Sequence, residues 1–189
     1  MKRSIFIVLA LVVVTFACEP VHEDLFTRTF VIKAGQHYST PTLMETLQSE
    51  RLIFRAEFDQ SAIYDLGDRA LQSSKNKLYG FSGCNSTHHE NSARFAWQWF
   101  DNQLEIYAYC YVNGERKEEF VGVVKPGEEN LYEIRLTDDA YVFYLNNEPK
   151  AVVEKDTNCD RGVYYLLYPY FGGSLPAPHD VTIKIRRAF

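Results

Sequence analysis

Eleven short stretches rich in β-branched and aromatic residues follow one another from Thr27 to Arg187, separated by Gly, Pro, Asn and Asp. They are TRTFVIK, RLIFRAEFD, KLYGFSG, SARFAWQWF, QLEIYAYCYV, EEFVGVVK, NLYEIRL, AYVFYLNN, KAVVE, GVYYLLYPYF and HDVTIKIRR. Most alternate with period two or are apolar over a strand's length, and the segments between them carry turn residues. The one segment with a helical look is short, near Pro41 to Gln48. So many strands with so little helix predict an all-β antiparallel β-sandwich or jelly roll, with at most one short helix. No internal repeat or low-complexity linker divides the run, so residues 27–189 read as one domain.

The first residues impose a different constraint. Lys2 and Arg3 precede an apolar run from Ile5 to Val14, and Ala17 stands directly before Cys18. A charged start, a short apolar core and a small residue make a secretory signal peptide over 1–17. The core is too short to span a membrane, which takes about 20 apolar residues. A cysteine after the small residue is similar to the lipobox of bacterial lipoproteins. That resemblance implies cleavage before Cys18, lipid on its thiol, and a membrane anchor through residues 18–26. An exported protein cut elsewhere is the alternative.

Without residues 1–17 the 189-residue chain keeps 172, and the formal net charge of −5 becomes −7 as Lys2 and Arg3 leave with the leader. An acidic chain without a basic surface is not built for nucleic acid; Lys184, Arg186 and Arg187 read as the polar face of a last strand. With Cys18 given to lipid, Cys84, Cys110 and Cys159 remain. Cys110 shares the alternation of Leu104, Ile106, Ala108 and Val112 and is expected to be buried. Cys84 and Cys159 lie in turn-like sequence and are the two that could pair. No spacing suggests a zinc site, and no cofactor is implied. DTNCDRG (156–162) spaces Asp156, Asn158 and Asp160 like a calcium loop, but Arg161 and Leu167 occupy the positions that need Gly and an acid. It reads as a turn.

Candidate function lies in the aromatic faces. In QLEIYAYCYV, Tyr107, Tyr109 and Tyr111 share the face opposite the aliphatic residues. Tyrosine suits sugar, since its ring covers an apolar pyranose face while its hydroxyl bonds to polar groups; the same rings also simply favour strands. In SARFAWQWF, Phe95, Trp97 and Trp99 point one way, and Arg94, Ala96 and Gln98 the other. Arg94 with Gln98 could grip an acidic sugar, a guanidinium holding a carboxylate through two hydrogen bonds. His88, His89 and Asn91 would stand at the rim. A solvated strand face with a surface histidine pair is the alternative.

The run YYLLYPYFGGSLPAPHD (164–180) contains Tyr170-Phe171-Gly172-Gly173 and then His179. Here the chain resembles jelly-roll polysaccharide lyases of the alginate-lyase type and, more broadly, concanavalin-like carbohydrate domains. In those lyases a late strand carries Tyr-Phe-Lys-Ala-Gly. Their Gln-Ile-His and Arg-Ser-Glu-Leu-Arg segments are missing here, so only Arg94 and Gln98 offer comparable chemistry. The resemblance implies Arg94 or Gln98 neutralising a uronate, a histidine (His88, His89 or His179) or a tyrosine taking a proton, and Tyr170 returning one. Glycoside hydrolysis would need two flanking carboxylates, and Glu57 and Glu105 form no recognisable pair.

The expectation is therefore a membrane-anchored glycan-binding sandwich whose groove holds Arg94, Gln98, Tyr107, Tyr109, Tyr111 and Tyr170. A polysaccharide lyase using that groove, and an assembly lipoprotein that binds another protein, are the alternatives.

Overall fold

Three hairpins show how local chemistry fixes the pairing. Asp101-Asn102, Asn113-Gly114 and Asn146-Asn147 all have positive φ at both residues, as a tight two-residue turn between twisted antiparallel strands requires. A computed structural model describes residues 27–156 and 164–188, and the expected signal peptide, lipidated Cys18, tether and most of DTNCDRG lie outside them. All eleven expected stretches carry a strand. The strands are β1 (Thr27–Ile32), β2 (Ser39–Thr40), β3 (Thr46–Leu47), β4 (Arg51–Phe58), β5 (Asn76–Ser82), β6 (Ser92–Phe100) and β7 (Gln103–Val112). They continue as β8 (Glu115–Val124), β9 (Glu129–Leu136), β10 (Ala140–Leu145), β11 (Glu148–Glu154), β12 (Tyr164–Leu167) and β13 (Val181–Ala188).

These strands make two antiparallel sheets, ordered β11-β10-β9-β4-β13-β1-β2 and β3-β12-β5-β6-β7-β8. Alternation sends one side of each into a shared core: Phe54, Phe58, Tyr132, Ile134 and Phe143 from the first, and Phe81, Phe95, Trp97, Ile106 and Cys110 from the second, all at most 1% exposed. Rings make the junction, with Phe95 of one sheet edge-on to Tyr132 and Phe143 of the other at 5.1 and 5.0 Å. Such pairs add to the area they bury. Cys110 is a free, buried thiol, and burial pushes its pKa up. Cys84 is disulfide-bonded; Cys159, its expected partner, lies outside the described residues.

The helix expected at 41–48 is absent. That segment instead gives β3, where Leu47 enters the core at 4% exposure and the Glu45 carbonyl accepts from Leu166 N–H. Packing against β12 outweighs so short a helical tendency. The short helix is at Arg69–Gln72, where the Asp68 side chain accepts from Leu71 N–H as an N-cap.

Candidate functional site

The outer face of the six-stranded sheet brings most of the candidate residues together. Because β6 sends Phe95 and Trp97 into the core, Arg94, Ala96 and Gln98 face outward, opposite Tyr109, Tyr107 and Glu105 of β7. On the other side Arg94 pairs with Gly80 of β5. A Cβ at Gly80 would lie 2.6 Å from Arg94 Cγ and 2.1 Å from the Ala93 carbonyl oxygen. The missing side chain is what lets Arg94 approach β5 so closely. Further along β5 the pairing register shifts between Lys77 and Tyr79. That bulge sets Lys77 opposite Ala96, on Arg94's side, while Leu78 and Tyr79 are both buried.

A segment distant in sequence supplies the wall. Beyond β12, Tyr170 bonds through its backbone to Lys77 (2.8 and 3.0 Å), and Phe171 N–H donates to the His37 carbonyl at 2.8 Å. Gly172 is needed beside it, because a Cβ there would sit 2.0 Å from the Lys75 carbonyl oxygen. Tyr170 stacks on His37 and meets Tyr38 edge-on at 5.1 Å, leaving Tyr38 72% exposed. The opposite wall is the loop from Gly83 to Asn91. Gly83 N–H donates to the Asn91 carbonyl, and the Asn91 side chain accepts from Asn113 N–H. His88 and His89 stand on this loop with ring centres 4.1 Å apart. Between the walls lies a cavity of about 370 Å³, lined by Lys77, Arg94, Tyr109, His88, His89 and Tyr170, together with Tyr38 and residues 166–169.

None of the lining residues is acidic. Arg94 is 6% exposed, its Nε has no hydrogen-bond partner, and no carboxylate pairs with it among the described residues. Burying such a charge costs several kcal/mol in proteins unless something compensates it. Aromatic faces give partial compensation: the guanidinium carbon is 5.5 Å and Lys77 Nζ 4.5 Å from the Tyr109 ring centre. Lys77 Nζ also donates to the Lys75 carbonyl at 2.7 Å. Burial, then Arg94, pulls Lys77 down to about 8. Burial, followed by the positive charge of Arg94 and its neighbours, holds His88 down at about 4, leaving the imidazole neutral at physiological pH. Burial pushes Tyr109 up to about 12 and raises Tyr170. Burial lowers Arg94 too, but a guanidinium starts so high that it stays protonated at neutral pH. The pocket thus holds a cation, a titratable amine, a neutral imidazole and protonated phenols, a set suited to an anion.

Not every expected residue lines this cavity. Gln98 is 2% exposed and accepts from Lys75 Nζ at 2.9 Å while donating to Glu105 at 2.5 Å. Tyr107 donates to the same carboxylate at 2.8 Å, with Lys75 Nζ 4.1 Å above its ring. These residues form a closed network beside the pocket on the same sheet face. Tyr111 touches the rim, edge-on to His89 at 5.4 Å. His179 is elsewhere, its Nε2 on the Ser61 carbonyl at 2.8 Å. Glu57 belongs to the other sheet, bonded to Lys184, so it is not paired with Glu105. Among the described residues no three His, Cys, Asp or Glu side chains are placed to hold a metal ion. The sequence pattern marks neither Lys77 nor Tyr38 in the pocket, nor Lys75 in the network beside it. Lys77 depends on the bulge and Tyr38 on the bridge to Tyr170, and neither leaves a periodic trace.

No family model matches the sequence, and no curated protein is similar to it. Solved structures share its architecture at very low identity. The laminarinase catalytic domain of Thermotoga maritima has a TM-score of 0.56 and 9% identity over 84% of this chain and 76% of its own. A mixed-linkage glucan GH16 protein of Bacteroides ovatus has a TM-score of 0.55 and 9% identity over 85% of this chain and 80% of its own. The alginate lyase AlyC3 has a TM-score of 0.54 and 8% identity over 84% of this chain and 71% of its own. The chain is thus a concanavalin-like jelly-roll sandwich, the fold these polysaccharide-acting enzymes share.

Proposed function

We propose that this protein is a non-catalytic receptor for an acidic glycan, exported and held at a bacterial membrane surface through Cys18. The observation that carries the glycan reading is Arg94: a buried guanidinium without a counter-ion, in a pocket free of acids and walled by tyrosines. A sugar carboxylate would supply the missing charge, while Tyr38 and Tyr170 would cover pyranose faces. The fold neighbours, an alginate lyase and two proteins named for glucan or laminarin, support a polysaccharide ligand. The leader sequence and the cysteine after Ala17 support the membrane address. Hydrolysis by paired carboxylates has no basis in this pocket.

A uronate lyase is the second reading, favoured by one observation. His88 is neutral at physiological pH in the same pocket as Tyr170 and Arg94. In that case Arg94 would hold the carboxylate, His88 would take the proton at C5, the C4–O bond would break, and Tyr170 would protonate the leaving oxygen.

One experiment separates the two. Oligouronates and neutral oligosaccharides are titrated calorimetrically while the solution is monitored for the ultraviolet absorbance of an unsaturated uronate. Binding of the acidic set alone, lost in Arg94→Met and without new absorbance, is the expected result. Absorbance that grows with wild type and vanishes in Tyr170→Phe establishes the lyase instead. If acidic and neutral glycans bind alike, the receptor reading is overturned. Globomycin-sensitive processing and loss of membrane fractionation in Cys18→Ser test the anchor.

A further inference from the structure

We infer that the ligand is a mixed chain, in which the acidic sugar held at Arg94 is followed by an uncharged one, and not a run of consecutive uronates. This rests on the acidic-glycan reading above and concerns how the same sheet face continues beyond the pocket. Along β6, Gln98 lies four residues from Arg94, about 13 Å at strand rise. The distance is a few pyranose rings. Among the described residues no free cation stands at that end to receive a second carboxylate. Lys75 is already committed to Gln98 at 2.9 Å and to the Tyr107 ring at 4.1 Å. The one carboxylate there, Glu105, accepts from Gln98 and from Tyr107.

The outer strand completes the contrast. Phe120 of β8, opposite Tyr107, is 52% exposed and edge-on to it at 5.6 Å; Val123, opposite Glu105, is 46% exposed. Glu118 lies between this end and the pocket, opposite Tyr109, and is paired with Arg116 at 3.1 Å. An exposed ring beside a self-neutralised hydrogen-bond network suits the apolar face of an uncharged sugar. A second uronate would face Glu105 with no new partner, and like charges brought together without compensation weaken binding. The face therefore has a cationic end and a neutral aromatic end.

The test uses the exported chain without its leader and two oligosaccharides of equal length, one of uronate alone and one alternating uronate with a neutral N-acetylhexosamine. Calorimetry is expected to show the alternating chain bound about tenfold more tightly, equivalent to ~1.4 kcal/mol. Phe120→Ala should reduce that preference by weakening the alternating ligand, and Glu105→Gln should narrow it by strengthening the homopolymer; thermal melts of both variants check the fold. Equal or tighter binding of the homouronate, or a preference untouched by Phe120→Ala, overturns the inference and leaves the Arg94 receptor standing. Failure of both acidic ligands to bind takes away the receptor reading, and this inference with it.

Discussion

The two outer faces of the sandwich treat positive charge in opposite ways. On the seven-stranded sheet, arginines and lysines meet carboxylates within and across strands. Arg51 and Arg135 share Glu133 at 2.8 and 3.0 Å, Arg186 reaches Glu129 at 3.1 Å, and Lys184 reaches Glu57 at 3.2 Å. Lys184 and Arg186 of β13 thereby join a cross-strand ion-pair lattice, whereas Arg187, expected on the same polar face, alternates to the other side and reaches Glu45 at 3.7 Å. On the six-stranded sheet the most buried guanidinium, Arg94, has only aromatic faces and other cations around it. Paired charge on a solvated face contributes little and asks for nothing further. Unpaired charge in a walled pocket has an affinity still to be used, and that difference locates the site better than any motif does.

The largest effect that would break this contrast is steric. Gly80→Ala would drive a methyl group into the Ala93 carbonyl and the Arg94 side chain. Chemical denaturation should show a loss of roughly 3 kcal/mol, and whatever protein still folds should bind acidic oligosaccharide poorly. Arg94→Met is the cleaner break. Affinity for oligouronate should fall about 100-fold, while the denaturation midpoint stays level or rises, because a buried unpaired charge has been replaced by an apolar chain. A lower midpoint together with intact binding would show that Arg94 serves the fold alone.

A smaller effect follows from Lys77. It is charged below about 8 and neutral above, so its share of anion affinity is present at lower pH and lost as pH rises through about 8. Affinity should drop about fivefold between neutral and alkaline pH, with protons taken up on binding near pH 8, measurable by calorimetry in buffers of different ionisation enthalpy. The free protein should move the other way. An amine whose pKa is lowered by folding leaves the unfolded chain binding more protons between about 8 and 10.5, so stability rises with pH across that window. The smallest effect is on the other face: Glu133→Gln should cost about 1 kcal/mol and leave glycan affinity unchanged.

Period-two alternation made the sandwich legible, because a strand buried on one side writes its geometry into every second residue. The same rule put Arg94 and Gln98 on one face, and Tyr107 with Tyr109 opposite Cys110. What it could not carry was anything made by interruption or by distance. The bulge at Lys77 breaks the alternation that would have marked that lysine. Tyr38 joins the pocket only because Tyr170 bridges to it from far along the chain. The helix capped by Asp68 is too short to show a period, whereas the segment after Pro41 has a helical look and is irregular up to the two-residue strand β3. Gln98 sits on the expected face, but its hydrogen bonds go to Lys75 and Glu105, and partner choice has no periodic signature.

Cys110 gives the molecule a clock of its own. Its free thiol lies in the core, on the strand position next to Tyr109 and paired with Ala93, the neighbour of Arg94. An alkylating reagent reaches it only when the two sheets part, so its labelling rate, read by peptide mass, counts openings of the whole sandwich. A ligand that seats against Arg94 stabilises the closed state by mass action and slows that clock. Ligands of every chemical class can then be ranked on the unaltered chain, with no label attached to the pocket itself.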